Sequence, residues 1–285
     1  MQWVVGSDGV FFSVMLTIFG LLVGSFLNVV IHRVPKMMQA QWEIECAQLN
    51  GAGIVEKPPY NLFVPRSACP HCGHQIRWFE NIPVLSYMAL RGKCASCKTA
   101  IGMRYPVVEI VTGALFFFCA QRWAMPTTAL IWCAFCAALV ALAMIDWDTT
   151  LLPDDITLPL LWLGLVLAAL RWNPLATLSD ALWGAVAGYM SLWLVFWAFK
   201  FATGKEGMGY GDFKLFAALG AWFGWQALVP IILMSSVLGA IVGIAMKFTG
   251  GLREEKYIPF GPFLAGAGLT AMIFGPQSIL RTVGL

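Results

Sequence analysis

Four stretches of this chain, residues 10–31, 125–145, 181–199 and 227–246, stay apolar for close to the length of a membrane span. A helix rises about 1.5 Å per residue and the hydrocarbon core of a bilayer is about 30 Å thick, so some twenty apolar residues suffice to cross it. Inside lipid every backbone amide must find its partner within its own segment, which makes helices the fold for such runs. Composition agrees, with 59% of the 285 residues hydrophobic and 12% charged, against about a half and a quarter in soluble domains.

Two shorter runs, 106–120 and 156–170, cross only with tilt or local thinning of the bilayer. Residues 213–248 are too many for one helix, and Gly224-Trp225-Gln226 divides them into a short helix and a full one. Residues 258–280 supply the last span, with Pro259 and Pro262 near its start, where missing amide donors matter least. Residues 1–9 carry Asp8 but no Lys or Arg, so the first run lacks a cleavable signal's charged leader and is expected to remain as a helix. The fold expected is an all-α polytopic membrane protein of roughly eight transmembrane helices, with a small zinc-binding cytoplasmic insert between the first two.

Charge sets the orientation. Of the 18 Lys and Arg residues, all but Arg122, Arg171 and Arg281 fall in segments on one side of that arrangement, half of the total in the insert at 33–105. Basic residues stay in the cytoplasm, so the insert is expected there and both termini on the outer face. A net charge of +3 calls for no nucleic acid, since basic residues beside a membrane face anionic headgroups.

The insert holds Cys69-Pro-His-Cys72 and Cys94-Ala-Ser-Cys97, two CxxC pairs with 21 residues between them. Two thiolate pairs on tight turns can close an S4 shell around Zn(II) with no open position, the form of a structural site. Two disulfides or four free thiols are the alternatives, and His71 or His74 offers a substitute ligand. Cys133 and Cys136 repeat the spacing inside an apolar run, where charged thiolates are costly, and read as packing. Met38, Trp42, Cys46 and Leu49 recur at helical spacing and suggest a separate amphipathic helix.

Carboxylates at the ends of membrane helices are functional candidates, because burying an unpaired charge is costly. Asp146, Asp148, Asp154, Asp155 and Asp212 all fall at cytoplasmic helix ends. Asp212 closes Gly207-Met208-Gly209-Tyr210-Gly211-Asp212, whose alternating glycines suit a backbone that bends or admits a close neighbour; a loop ending in a capping Asp would look the same. Asp148 lies about 200° around a helix from Asp146, so only one of them faces a given partner. Asp154 and Asp155, after Pro153, also suit helix capping. Two carboxyls a few ångströms apart in a low-dielectric cleft share a proton, so one takes a proton from water while the other donates to a peptide carbonyl. Acids relaying protons in a transporter are the rival reading, which predicts inverted repeats that this chain lacks.

In its ordered motifs the chain resembles the type IV prepilin peptidases, bifunctional leader peptidases and N-methyltransferases of the GxGD group of membrane aspartic peptidases. The likeness rests on Gly24-Ser25-Phe26-Leu27-Asn28 through Arg33, on Arg66-Ser67-Ala68-Cys69, on Glu80-Asn81-Ile82-Pro83, on Gly207 to Asp212 and on Pro259-Phe260-Gly261-Pro262-Phe263. The resemblance implies that Asp146, seven positions before Pro153, and Asp212 form the catalytic pair, supported by Gly207, Gly209, Gly211, Asp148 and Asp154. It implies cleavage after glycine of a short basic leader on prepilins and pseudopilins, at the cytoplasmic face of a bacterial inner membrane, and methylation of the new N-terminus from S-adenosylmethionine; a peptidase without the second activity is the alternative. Cys69, Cys72, Cys94 and Cys97 would hold structural Zn2+. No Rossmann-type glycine motif marks a donor site, leaving Glu43, Glu80 and Glu109 as candidate partners of the methyl donor. The expected division is a first membrane helix at 1–32, a methyltransferase-associated zinc loop at 33–105 and a seven-helix peptidase domain at 106–285. Gly20 and Gly24 permit close helix packing, within one chain or between two, so oligomeric state stays open.

Overall fold

A computed structural model describes residues 7–51, 59–123, 125–249, 258–276 and 278–279. The described residues form helices and connecting turns, with no strand among them, and the chain divides into two compact units, 1–141 and 142–285. The expected positions of the two termini fall outside the described residues.

Unit 1 begins with α1, Ser7–Leu49. The apolar run was expected to end near residue 31, with a separate helix further on; instead one helix continues through Pro35 to residue 49. Proline removes one amide donor, but Met37 to Leu49 is rich in Met, Gln, Ala and Glu, which favour helix strongly enough to carry it on. After a 3-10 turn at Trp78–Asn81 and the five-residue α2, Leu85–Ala89, comes α3, Arg104–Arg122. Gly20 and Gly24 let α1 lie against α3: a Cβ at residue 20 would stand 2.7 Å from the Phe116 side chain, and one at residue 24 would stand 2.7 Å from the Glu109 Cα. The small residues that permitted a contact between subunits are therefore used inside this unit. α4, Pro126–Thr149, runs through the division at 141; in unit 1 its Trp132 stacks on Trp123 at 4.8 Å, and its Cys136 packs 3.8 Å from Cys119.

Unit 2 holds the end of α4 and then α5 (Asp154–Ala169), α6 (Leu178–Thr203), α7 (Tyr210–Phe223), α8 (Leu228–Thr249) and α9 (Gly261–Phe274). α7 is apolar all round from Phe213 onward apart from Lys214, and is buried nearly throughout, with α5, α6 and α9 packed around it. α6 meets it at Gly184 and Gly220, where a Cβ on either would strike the other's backbone. On α5 the absent side chain of Gly164 makes room for the Trp222 indole, whose Nε1–H donates to the Leu160 carbonyl at 2.9 Å.

Four helical segments are long and apolar enough to cross a membrane: Gly9–Leu49, Pro126–Thr149, Leu178–Thr203 and Trp225–Phe248. The described helices at the other four expected spans are shorter or carry charge. α5, α7 and α9 have 16, 14 and 14 residues, about 21–24 Å of helix, and α3 has 19 but carries Arg104, Glu109 and Arg122.

Candidate functional site

Asp146 lies in the last turn of α4, which continues to Thr149 and then stops as Thr150 enters the left-handed region at φ 55°. That continuation decides between the two acids on this turn. Asp146 is 4% exposed, whereas Asp148, on the other side of the helix, is exposed. The Asp146 Oδ2 accepts a hydrogen bond from the Gly261 amide at 2.8 Å. Gly261 is the first residue of α9, so this carboxyl sits where a helix has spare N–H donors and partial positive charge.

Asp212 occupies the first turn of α7 and is also 4% exposed. Its amide donates to the Gly209 carbonyl at 3.2 Å, while its Oδ1 is buried with no hydrogen-bond partner. A buried carboxyl oxygen left without a donor is rare in a settled structure and points to a group that meets something else in use. Asp146 and Asp212 lie within electrostatic reach of each other. Leu152 fills the corner between their supports: a Cβ at Gly211 would stand 2.6 Å from the Leu152 Cβ, and one at Gly261 would stand 3.2 Å from its Cδ1 and 2.6 Å from the Asp146 Oδ2.

The three glycines before Asp212 are not equivalent. Gly211 admits Leu152, and Gly207 admits the Phe199 ring, which a Cβ would approach to 2.9 Å. Gly209 has space, its nearest neighbour being the Asp212 Oδ2 at 3.8 Å from such a Cβ. Asp154, exposed in the first turn of α5, meets Lys214 Nζ with both carboxylate oxygens at 2.7 Å, tying α5 to α7 two residues beyond Asp212. Sequence reasoning gave no part to Lys214, Leu152 or the Gly261 amide. For Gly261 the signal was present, since its motif had been singled out, but a backbone donor has no side-chain signature.

In unit 1 the two CxxC turns share one design. Each is flanked by an antiparallel bridge, Ala68 with Gln75 and Lys93 with Ala100. In each the first cysteine's amide donates to the carbonyl five residues on, and the residue four on has positive φ, Gly73 at 71° and Lys98 at 60°. The Sγ atoms of Cys69, Cys72, Cys94 and Cys97 lie within 4.8 Å of one another, Cys69 3.8 Å from Cys97 and Cys72 4.0 Å from Cys94. Zinc bonded to four sulfurs at about 2.3 Å in a tetrahedron separates them by about 3.8 Å, whereas a disulfide brings two to about 2 Å, so the set is compatible with zinc and no cysteine is paired. Thr99 lies 3.2 Å from the Cys97 sulfur and holds that thiol down at about 6, and the Cys72 amide lowers Cys69. These two favour the thiolate that a metal requires, whereas burial and the three neighbouring cysteines push Cys72 up to about 11.

The three glutamates go to different places. Glu43 is exposed on α1. Glu80 accepts from the Arg77 amide at 3.0 Å and meets His74 Nε2 at 3.1 Å, and those two partners, the amide above all, hold its carboxyl below the ordinary value. His74 thus serves Glu80 and not the cysteine cluster. Glu109 is buried on α3 and accepts from the Val84 amide at 2.8 Å, pinning a residue at φ 59°.

Residues 18–123 match the family model described as Bacterial Peptidase A24 N-terminal domain, and residues 133–244 match that of the Type IV leader peptidase family. The chain is 54% identical over 264 residues to a prepilin leader peptidase/N-methyltransferase of Pseudomonas aeruginosa, covering 92% of this chain and 90% of that one. It is 50% identical over 270 residues to one of Burkholderia pseudomallei, covering 94% and 87%. It is also 50% identical over 279 residues to one of Aeromonas hydrophila, covering 97% and 94%. No solved structure matches the chain.

Proposed function

We infer, since this chain belongs to the type IV leader peptidase family, that it removes the leader from type IV prepilins and pseudopilins and then N-methylates the residue so exposed. The observation that carries the first half is the pair of buried acids, Asp146 held by the first amide of α9 and Asp212 with one oxygen unpartnered. Two carboxyls that feel each other's charge in low dielectric hold one proton between them. The ionised member takes a proton from water as the water oxygen attacks the carbonyl carbon of the leader's last glycine, and the protonated member donates to that carbonyl's oxygen. The tetrahedral diol then collapses, the C–N bond breaks, and the leaving amine takes up a proton from the dyad. Gly207 and Gly211 let Phe199 and Leu152 pack against the loop that presents Asp212, Gly209 has open space beside it, and Asp154 steadies α5 against α7 through Lys214; Asp148 is an exposed neighbour.

Eight membrane segments in a bacterial inner membrane, with both termini periplasmic and the 33–105 loop cytoplasmic, fit the basic residues of that loop. Short α5 and α7 would thin the bilayer where hydrolysis needs water. Residues 106–285 would house the peptidase and 33–105 would serve methyl transfer. Zinc held by Cys69, Cys72, Cys94 and Cys97 would brace that loop in a closed S4 shell, without contact to substrate. The methyl donor in such a transfer is S-adenosylmethionine. Glu80 and Glu109 each give one carboxylate oxygen to a backbone amide, and with Glu43 they remain the acidic side chains proposed to face the donor's sulfonium.

Purified protein in detergent, incubated with a prepilin, tests the dyad. Asp146→Asn and Asp212→Asn should each abolish leader loss by mass while helical content and thermal unfolding stay unchanged. Cleavage retained in either variant removes that residue from the mechanism.

A further inference from the structure

A cavity of about 280 Å³ opens in unit 1, between the end of the apolar stretch of α1 and the loop that leads to the cysteine cluster. Phe26 and Arg33 line it from α1, and Phe63, Arg66, Arg77 and Trp78 from the loop. None of the described residues lining it is acidic.

Arg33 is only 7% exposed. Its Nη1 donates to the Asn61 carbonyl at 2.8 Å, its Nη2 donates to the Pro65 carbonyl at 2.6 Å, and its guanidinium stands 5.6 Å from the centre of the Tyr60 ring. Two carbonyl dipoles and a ring face satisfy donors, yet they bring no net negative charge to a cation taken out of water. Arg66 and Arg77 add two exposed guanidiniums at the mouth, and Glu80, beside Arg77, offsets only one of the three. The charge that the described residues leave unbalanced in this cavity calls for an anion. S-adenosylmethionine has the wrong sign, because its sulfonium and ammonium outweigh its single carboxylate.

The surroundings narrow the anion to one anchored in lipid. The cavity lies where the apolar run of α1 gives way to His32 and Arg33, the depth at which headgroups meet water. Its rim carries Phe26, Phe63 and Trp78, respectively 44%, 79% and 79% exposed, aromatic side chains of the kind that settle at that boundary. We propose that this cavity binds the phosphodiester headgroup of an anionic phospholipid, with Arg33 at its base, Arg66 and Arg77 at its mouth and the acyl chains running past the exposed aromatic rings. The lipid supplies the countercharge that the described residues around Arg33 do not and seats the loop on the bilayer surface.

Native mass spectrometry of the full-length protein, delipidated in neutral detergent and titrated with phosphatidylglycerol or phosphatidylcholine, tests this. Wild type should favour phosphatidylglycerol, and Arg66→Gln with Arg77→Gln should weaken that binding about thirtyfold, at roughly fivefold per basic residue near a headgroup, while binding of phosphatidylcholine stays unchanged. Arg66→Lys with Arg77→Lys, which keeps the charge, should restore most of the preference. Equal phosphatidylglycerol binding by wild type and the glutamine variant would overturn the proposal. So would displacement of the lipid by millimolar glycerol 3-phosphate, which marks a site for a soluble phosphate, or by S-adenosylmethionine, which marks the donor site.

Discussion

Gly261 shows how little separates a supporting residue from a blocking one. Its amide donates to the Asp146 Oδ2 from 2.8 Å, and a single added methyl would stand 2.6 Å from that same oxygen. Alanine there must push the carboxyl off its donor. A displacement near 1 Å in a catalytic group costs about 100-fold in rate, so Gly261→Ala should lower kcat/KM for prepilin cleavage by about that factor with little change in unfolding temperature. Gly209→Ala is the control inside the same constellation. Its methyl has open space, and kcat/KM within about threefold of wild type is expected. A large loss at residue 209 with none at 261 would contradict this account of the glycines.

At the scale of helices, the α6–α7 pair is built on the absence of side chains. Gly184 and Gly220 bring the two backbones into contact, and Gly188 lies against Ala217 one turn away. Small residues four apart on α6 and three apart on α7 let dispersion contacts accumulate where lipid offers no hydrophobic drive. Gly220→Ala must force these axes apart, and overpacking of this kind costs about 1–3 kcal/mol. A lowered midpoint of unfolding in a mixed-detergent titration checks this, and because α7 carries Asp212 in its first turn, cleavage should fall with it. Helix α7 itself is legible as apolar but not as central. Its 14 residues are too few to cross a bilayer unaided, and only its burial on every side explains why a helix so short carries no polar face.

For the molecule as a whole, the cysteine cluster belongs to unit 1 and both buried aspartates to unit 2. If each unit carries one activity, paired Cys94→Ser and Cys97→Ser should release zinc and suppress methyl transfer at least tenfold, while leader cleavage falls much less. Equal loss of both, read from one mass spectrum of the prepilin product after incubation with labelled S-adenosylmethionine, would mean that the lobe holds the whole chain together. The sequence alone determined the helical class, the four long membrane-capable runs, the cysteine quartet and the acids worth watching, because apolar length, ligand type and spacing are properties of the chain itself. Tertiary structure decided which acids are buried near each other, which glycines admit a neighbour, that Glu80 and Glu109 are occupied by backbone donors, and that α1 runs on past Pro35. Each of these depends on what a distant segment places beside a residue, such as the amide of residue 261 beside the carboxyl of residue 146. Backbone groups and empty space leave no mark in a string of side chains.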